Sequence, residues 1–234
     1  MIRPFAYLKP RSLEEALEAL QAPNSRPLAG GTDLLVEMRG GSKRPELLVD
    51  IKGLQALGAL EPAPGEGAAI GALATLNDVA DHPAFGGALA AVAQGAFAIA
   101  THALRNRATL GGNLCNGSPA ADTAPPLYVL DAQVVIAGPG GERRVPIASF
   151  LTGVKKTAMR AGELVTRIAV PAAAGGKSAF LKKTRVRGHD LALVNAAGLA
   201  NRKAGVLRVC VGAWAEYLRI PAGEIYGLVG SDGA

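Results

Sequence analysis

Two segments that each carry a Gly-Gly pair, Pro27 to Leu35 and Thr109 to Thr123, constrain this chain most, because such pairs let backbone come very close to something. The first reads Pro27-Leu28-Ala29-Gly30-Gly31-Thr32-Asp33-Leu34-Leu35. Its glycines leave N–H groups free to meet an anion, and the Thr32 hydroxyl with a following helix N-terminus adds donors suited to phosphate. The second reads Thr109-Leu110-Gly111-Gly112-Asn113-Leu114-Cys115-Asn116-Gly117-Ser118-Pro119-Ala120-Ala121-Asp122-Thr123. It offers another backbone nest, side-chain amides, and a carboxylate able to hold a ribose hydroxyl. Two such loops could grip both phosphates of a dinucleotide. A Gly-Gly pair is usually a turn, so spacing alone leaves both readings open at each segment.

Composition removes several function classes. The 234 residues allow one large domain or two modest ones, and 49% hydrophobic with 19% charged residues disfavours disorder. Net charge is +6, yet Lys and Arg are scattered without a basic stripe and interleaved aromatics, which argues against a nucleic-acid module. Cys115 and Cys210, with only His82, His102 and His189 in support, make neither a disulfide scaffold nor a zinc site. Met1 to Pro10 lacks the apolar run of a signal peptide, and Ala84 to Leu104 is too rich in Ala and Gly for a membrane span, so the chain reads as cytoplasmic. Gly175-Gly176-Lys177-Ser178 imitates the end of a P-loop, but the glycine required five residues before Gly176 is Pro171, which leaves a turn. No G-x-G-x-x-G follows a strand.

The pattern of elements is α+β. Ser12 and Glu15 form a capping box ahead of Leu13, Ala16, Leu17 and Leu20, and Pro23 stops that helix. Leu47 to Ile51 reads as a buried strand, and the loose stretch Gly58 to Gly67 as a boundary between two lobes. Ala68 to Leu73 is strand-like, Thr75 with Asp78 starts a short helix, and Gly87 to Leu104 is the longest helical candidate. Gln133 to Ala137 and Arg143 to Ile147 flank a Gly-Pro-Gly-Gly turn as a β-hairpin. Further strands are expected at Leu164 to Val170, Ala179 to Thr184, Ala192 to Ala200 and Val206 to Val211.

Taken in order, Phe5-Ala6-Tyr7-Leu8 with Pro10 and Ser12 to Ala16, then Leu28 to Leu35, Thr109 to Asn113, and Ser118 to Leu127 with Ala121-Asp122-Thr123-Ala124-Pro125-Pro126, resemble one family. It is the FAD-binding (medium) subunit of the molybdenum hydroxylases, of the xanthine dehydrogenase, carbon monoxide dehydrogenase and 4-hydroxybenzoyl-CoA reductase type. The resemblance covers about residues 1 to 213. It implies a two-lobed FAD-binding domain of the PCMH type over residues 1–175, with lobes at about 1–57 and 58–175, and a small α+β C-terminal domain over 176–234.

The resemblance also implies site roles. Leu28, Ala29, Gly30, Gly31, Thr32, Asp33 and Leu34 would wrap the FAD pyrophosphate, and Thr109, Gly111, Gly112 and Asn113 would complete that site. Asp122 matches an acidic residue contacting the adenosine part, and Ile99 an apolar residue near the flavin or adenine. Val165 and Lys182 match positions near the isoalloxazine ring, where a cation stabilises negative charge on the reduced flavin. The bland readings stand beside these: Asp122 as a cap, Ile99 as core, Lys182 as a solvated strand residue. Function would be electron transfer by a flavin-dependent oxidoreductase subunit, from iron–sulfur clusters of a partner through FAD to NAD+, quinone or oxygen, with no catalytic side chain. The implied partners are a large molybdenum-cofactor subunit and a small [2Fe–2S] subunit, separate chains because two cysteines cannot ligate a cluster here. The alternative is a flavin-less assembly remnant of such a complex. Beyond Ala213 the composition changes abruptly at Trp214 to Ile220, which suggests a truncation or reading-frame change near Ala213.

Overall fold

The computed structural model describes residues 2–63, 67–173, 175–213 and 218–220. The first part contains β1 (Ala6–Leu8), α1 (Leu13–Ala19), β2 (Ser25–Leu28), α2 (Leu34–Arg39) and β3 (Leu47–Asp50). Its three strands pair in parallel in the order β1-β3-β2. Parallel strands need crossovers, and α1 with α2 supply them. Ser12 caps α1 by accepting from the Glu15 N–H, while Glu15 accepts from the N–H of Arg11 rather than from Ser12, so only half of the expected capping box forms. Ala16 and Leu20 of this helical turn pack with Val49, Ile51, Leu54, Leu57 and, from the next part, Leu164.

The second part is a five-stranded sheet packed against helices. Strands β4 (Leu60–Ala63), β5 (Gly67–Gly71), β6 (Gln133–Gly138) and β7 (Gly141–Pro146) are followed by the short pair β8 (Leu151–Gly153) and β9 (Lys156–Thr157), then β10 (Leu164–Pro171). The order is β4-β5-β10-β6-β7, antiparallel throughout. The stretch expected as a loose boundary therefore contains β4, whose pairing with β5 overrides its Pro- and Gly-rich composition. The hairpin of β6 and β7 turns where expected, between Gly138 and Gly141.

Between β5 and β6 the chain runs through α3 (Leu76–Asp81), α4 (Ala90–Phe97), α5 (His102–Arg105), α6 (Leu110–Cys115) and α7 (Ala124–Val129). The Thr75 and Asp78 capping box on α3 is complete. The long helix expected over Gly87 to Leu104 is broken instead, because the chain turns at Ala98 to Thr101 with Ala100 at φ 45. The last sheet joins β11 (Lys177–Lys183), β12 (Val194–Asn201), β13 (Val206–Gly212) and β14 (Leu218–Ile220) in antiparallel order. The main hydrophobic cluster runs from Ile70, Leu76, Leu127 and Ile168 into Phe180, Ala197, Leu199 and Cys210, so this sheet shares its core with the second part. Apart from β14, the segment expected to depart from the family beyond Ala213 lies outside the described residues.

Arg143 of β7 makes a two-bond fork to Glu163, with Nε to Oε1 at 2.8 Å and Nη2 to Oε2 at 2.7 Å, and pins the approach to β10. The Arg143 hydrogen bonds hold the Glu163 carboxyl below its ordinary value of 4.5, against the upward push of desolvation. A depressed carboxyl contributes stability above its unfolded value and loses it as pH falls. Glu163→Gln is therefore expected to cost about 1 kcal/mol near neutral pH, with a difference from the parent that shrinks towards about pH 3, checked by urea denaturation at both ends.

Candidate functional site

The Gly30 loop leaves the buried end of β2 at Leu28 and runs through Ala29 to Asp33 into α2, which Leu34 opens. Its path is set by another part of the chain. A Cβ on Gly30 would run into the Arg107 carbonyl and lie 3.0 Å from Ala108 Cα. Gly30 thus lets the loop lie directly on the backbone that leads into Thr109. Gly31 follows at φ 75, where an L side chain is strained. Among the described residues no acceptor meets the N–H groups of Gly30, Gly31, Thr32 or Asp33. Four consecutive unpaired donors in a half-exposed loop are a site for an anion or another strong acceptor. Desolvation raises the Asp33 carboxyl and Glu37 adds to it, while Lys155 pulls it back.

The second glycine segment is built differently from the open nest expected of it. It is the start of α6, with Thr109 as N-cap accepting from the Gly112 N–H at 3.1 Å. The Gly111 N–H donates to the Ala72 carbonyl at 3.0 Å and that of Asn113 to Thr109 at 2.9 Å. These donors are already used inside the protein. A Cβ on Gly111 would meet the Ala72 carbonyl and Cβ at 2.7 Å, so this glycine exists for backbone packing. The Ala72 N–H in turn donates to Thr166 of β10. Val165, next to Thr166, is 2% exposed and part of the main core.

The remaining candidates form a connected set around the buried Asp122. Thr123 Oγ1 donates to Asn113 Oδ1 at 2.6 Å, which ties α6 to the start of α7. Asp122, just before it, is 3% exposed. Its Oδ2 takes Lys182 Nζ at 2.6 Å and its Oδ1 takes Asn195 Nδ2 at 2.8 Å. Lys182 also donates to the Ala98 carbonyl at 3.1 Å, so the cation closes the C-terminal end of α4. That bond brings Lys182 alongside the turn that carries Ile99. Arg105 holds the same turn from the other side, donating to the Ile99 and Ala100 carbonyls at 3.0 and 3.2 Å and to Asn77 at 2.8 Å, with Phe97 4.8 Å beneath it. An ammonium has three donors, and two on Lys182 are spent, which leaves one for a ligand. Desolvation pushes the Asp122 carboxyl up; Lys182 and Asn195 oppose that push.

The structure therefore brings Ile99, Asn113, Asp122 and Lys182 into one chain of contacts. Through Gly30, loop residues 28–34 lie on Arg107 and Ala108, the backbone just before Thr109. Asn195 and Arg105 were not singled out from the sequence. Asn195 was within reach, because both strands were expected and the register places it opposite Lys182. Cys115 is an exposed residue whose sulfur is nonetheless tucked 3.6 Å from Met159 Sδ, and desolvation raises its thiol to about 12, so it stays protonated. Among the described residues no His, Cys, Asp and Glu cluster could hold a metal ion, and no helix is long and apolar enough to cross a membrane.

A loop of unpaired amides, with a part-buried lysine in the same fold that keeps a donor to spare, offers groups that suit a phosphate-bearing cofactor. Residues 3–173 match the family described as the FAD binding domain in molybdopterin dehydrogenase, and the chain belongs to that family. It is 32% identical over 194 residues to the glyceraldehyde dehydrogenase medium chain of Sulfolobus acidocaldarius, covering 82% of this chain and 68% of the relative. To the xanthine dehydrogenase FAD-binding subunit of Escherichia coli it is 34% identical over 167 residues, covering 71% of this chain and 57% of the relative. Among solved structures it is similar to carbon monoxide dehydrogenase from Hydrogenophaga pseudoflava lacking the Mo-pyranopterin moiety, with TM-score 0.86, 32% identity, 94% of this chain and 78% of that chain covered. The site suits FAD on the structure's own terms, since the Gly30 to Asp33 donors are free and the lysine is part-satisfied.

Gly111→Ala is expected to cost about 1–3 kcal/mol, because its methyl would press on the backbone of Ala72. Gly112→Ala, whose methyl would meet only Thr109 Oγ1 at 2.9 Å, is expected to cost less than half of that. Urea denaturation of the two variants side by side checks the order.

Proposed function

We propose that this chain is the FAD-binding electron-transfer subunit of a molybdenum hydroxylase complex, receiving electrons from iron–sulfur clusters of a partner subunit and passing them through FAD to NAD+, quinone or oxygen. The observation that carries the reading is the row of four unpaired amides from Gly30 to Asp33, held against the Arg107 and Ala108 backbone that leads into α6. Bound FAD supplies one- and two-electron redox chemistry that no side chain of this protein has. The residues of the chain bind and orient. The amides of the Gly30 loop hold the diphosphate, and Thr32 adds a hydroxyl to the same group. Thr109, Gly111 and Gly112 act mainly by fixing the floor on which that loop rests. Asn113, held by Thr123, keeps its own amide donors available beside them.

Lys182 directs its remaining donor towards the flavin, and Asp122 serves by anchoring that lysine rather than by reaching the ligand itself. Ile99 offers an apolar contact from the turn that Lys182 and Arg105 hold. Val165 supports the site from the core. The partners in this reading are a large molybdenum-cofactor chain and a small [2Fe–2S] chain. The sheets support a division into an FAD-binding domain over 1–175 and a C-terminal domain from 176, joined through a shared core. Two free cysteines suit a reducing compartment such as the cytoplasm.

The protein is expected to purify with a flavin spectrum and to release FAD on denaturation. A folded, colourless protein that ignores added FAD would contradict the reading; one that still co-purifies with molybdenum and iron–sulfur chains would be the flavin-less assembly form. Lys182→Gln removes a cation and leaves Asp122 uncompensated, so the flavin midpoint potential is expected to fall by about 30 mV or more, one tenfold step for a two-electron couple. Spectroelectrochemical titration measures it.

A further inference from the structure

Asn195 of β12 stands directly across from Lys182 of β11, and both side chains converge on Asp122 from the adjacent strands. It is 1% exposed, and its Oδ1 is a buried polar atom with no hydrogen-bond partner among the described residues. A side-chain amide carries an acceptor and two donors, and leaving the buried acceptor unmatched is unfavourable. The amide accepts that cost in order to turn its donor onto the carboxylate. Turned the other way, Oδ1 would face a carboxylate oxygen, acceptor against acceptor. The hydrogen-bond pattern thus fixes the orientation of Asn195 by the demand of Asp122 for a donor.

The consequence runs through Asp122 to Lys182. With Oδ1 of the carboxylate occupied by Asn195, Oδ2 is turned onto Lys182 Nζ at 2.6 Å. The Ala98 carbonyl holds the same ammonium from α4 at 3.1 Å. Two fixed acceptors on a tetrahedral ammonium leave its third N–H a narrow range of directions. We propose that Asn195 is a positioning residue of the cofactor site: by holding Asp122 it sets the direction in which Lys182 presents its free N–H to the flavin. Asn195 acts through Asp122 and Lys182 and touches no ligand itself. The proposal rests on the FAD reading of the Lys182 site.

The test is a double-mutant cycle on the full chain, read as FAD affinity by flavin fluorescence and as thermal stability without FAD. Asn195→Ala is expected to raise the dissociation constant of FAD about tenfold, the scale of one hydrogen bond to a charged group. In an Asp122→Asn background the same substitution is expected to add little, since residues acting in one line are non-additive. Asn195→Ser, a smaller change that keeps a donor, is expected to recover part of the affinity and serves as the comparison if the alanine variant does not fold. A purely structural asparagine would lower thermal stability in both backgrounds and leave FAD affinity unmoved in both. That result, or losses of affinity that multiply across the cycle, overturns the proposal. If the parent chain itself retains no FAD, the functional reading fails instead, which is a separate outcome.

Discussion

Backbone lying on backbone without an intervening Cβ is the constraint from which the site follows. Gly30 rests on the Arg107 carbonyl, and Gly111 rests on Ala72, so two loops far apart in sequence and the end of β5 close up to main-chain distance. That closeness decides the accounting of donors. At Gly111 the contact consumes an amide, because the Ala72 carbonyl accepts it. At Gly30 the contact is with a carbonyl that the loop does not bond, and four amides stay unpaired. The same residue pair, Gly-Gly, thus serves binding in one place and scaffolding in the other.

Electrostatics at the neighbouring turn follow the same economy. The chain end of α4 presents its carbonyls at Ala98, Ile99 and Ala100, and two cations meet them, Lys182 from the last sheet and Arg105 from α5. Arg105 is 6% exposed, and among the described residues it meets two carbonyls, an amide oxygen and a ring, all uncharged. Lys182 differs, since Asp122 neutralises it while leaving it a donor. The turn that carries Ile99 is therefore held by two cations of different kind, Lys182 paired with a carboxylate and Arg105 held by uncharged acceptors. A flavin beside it would meet a fixed cation–carboxylate pair rather than a mobile charge.

Much of the frame was legible in the sequence for reasons that can be named. Strands β3, β5, β6, β7, β10, β11, β12 and β13 sit where alternation and turn residues place them, and the Thr75 and Asp78 cap marks α3 correctly. What escaped was decided by tertiary contact. The strand β4 forms from a Pro- and Gly-rich stretch because β5 offers it a partner, and the apolar run over Gly87 to Leu104 breaks because Arg105 stabilises a left-handed Ala100. The two glycine segments were found, but their different uses were not, since an amide's partner cannot be read from its neighbours in sequence. Asn195 needed the strand register before it could be seen.

Amide hydrogen exchange with and without FAD is the most direct measurement of the central claim, that the Gly30 loop holds free donors while the Gly111 segment has already used its own. The account predicts fast exchange at Gly30 to Asp33 in the free protein and marked protection once FAD is added, with Gly111 and Asn113 protected in both states. Protection of Gly30 to Asp33 that is already high without FAD, or that does not change when FAD binds, would contradict it.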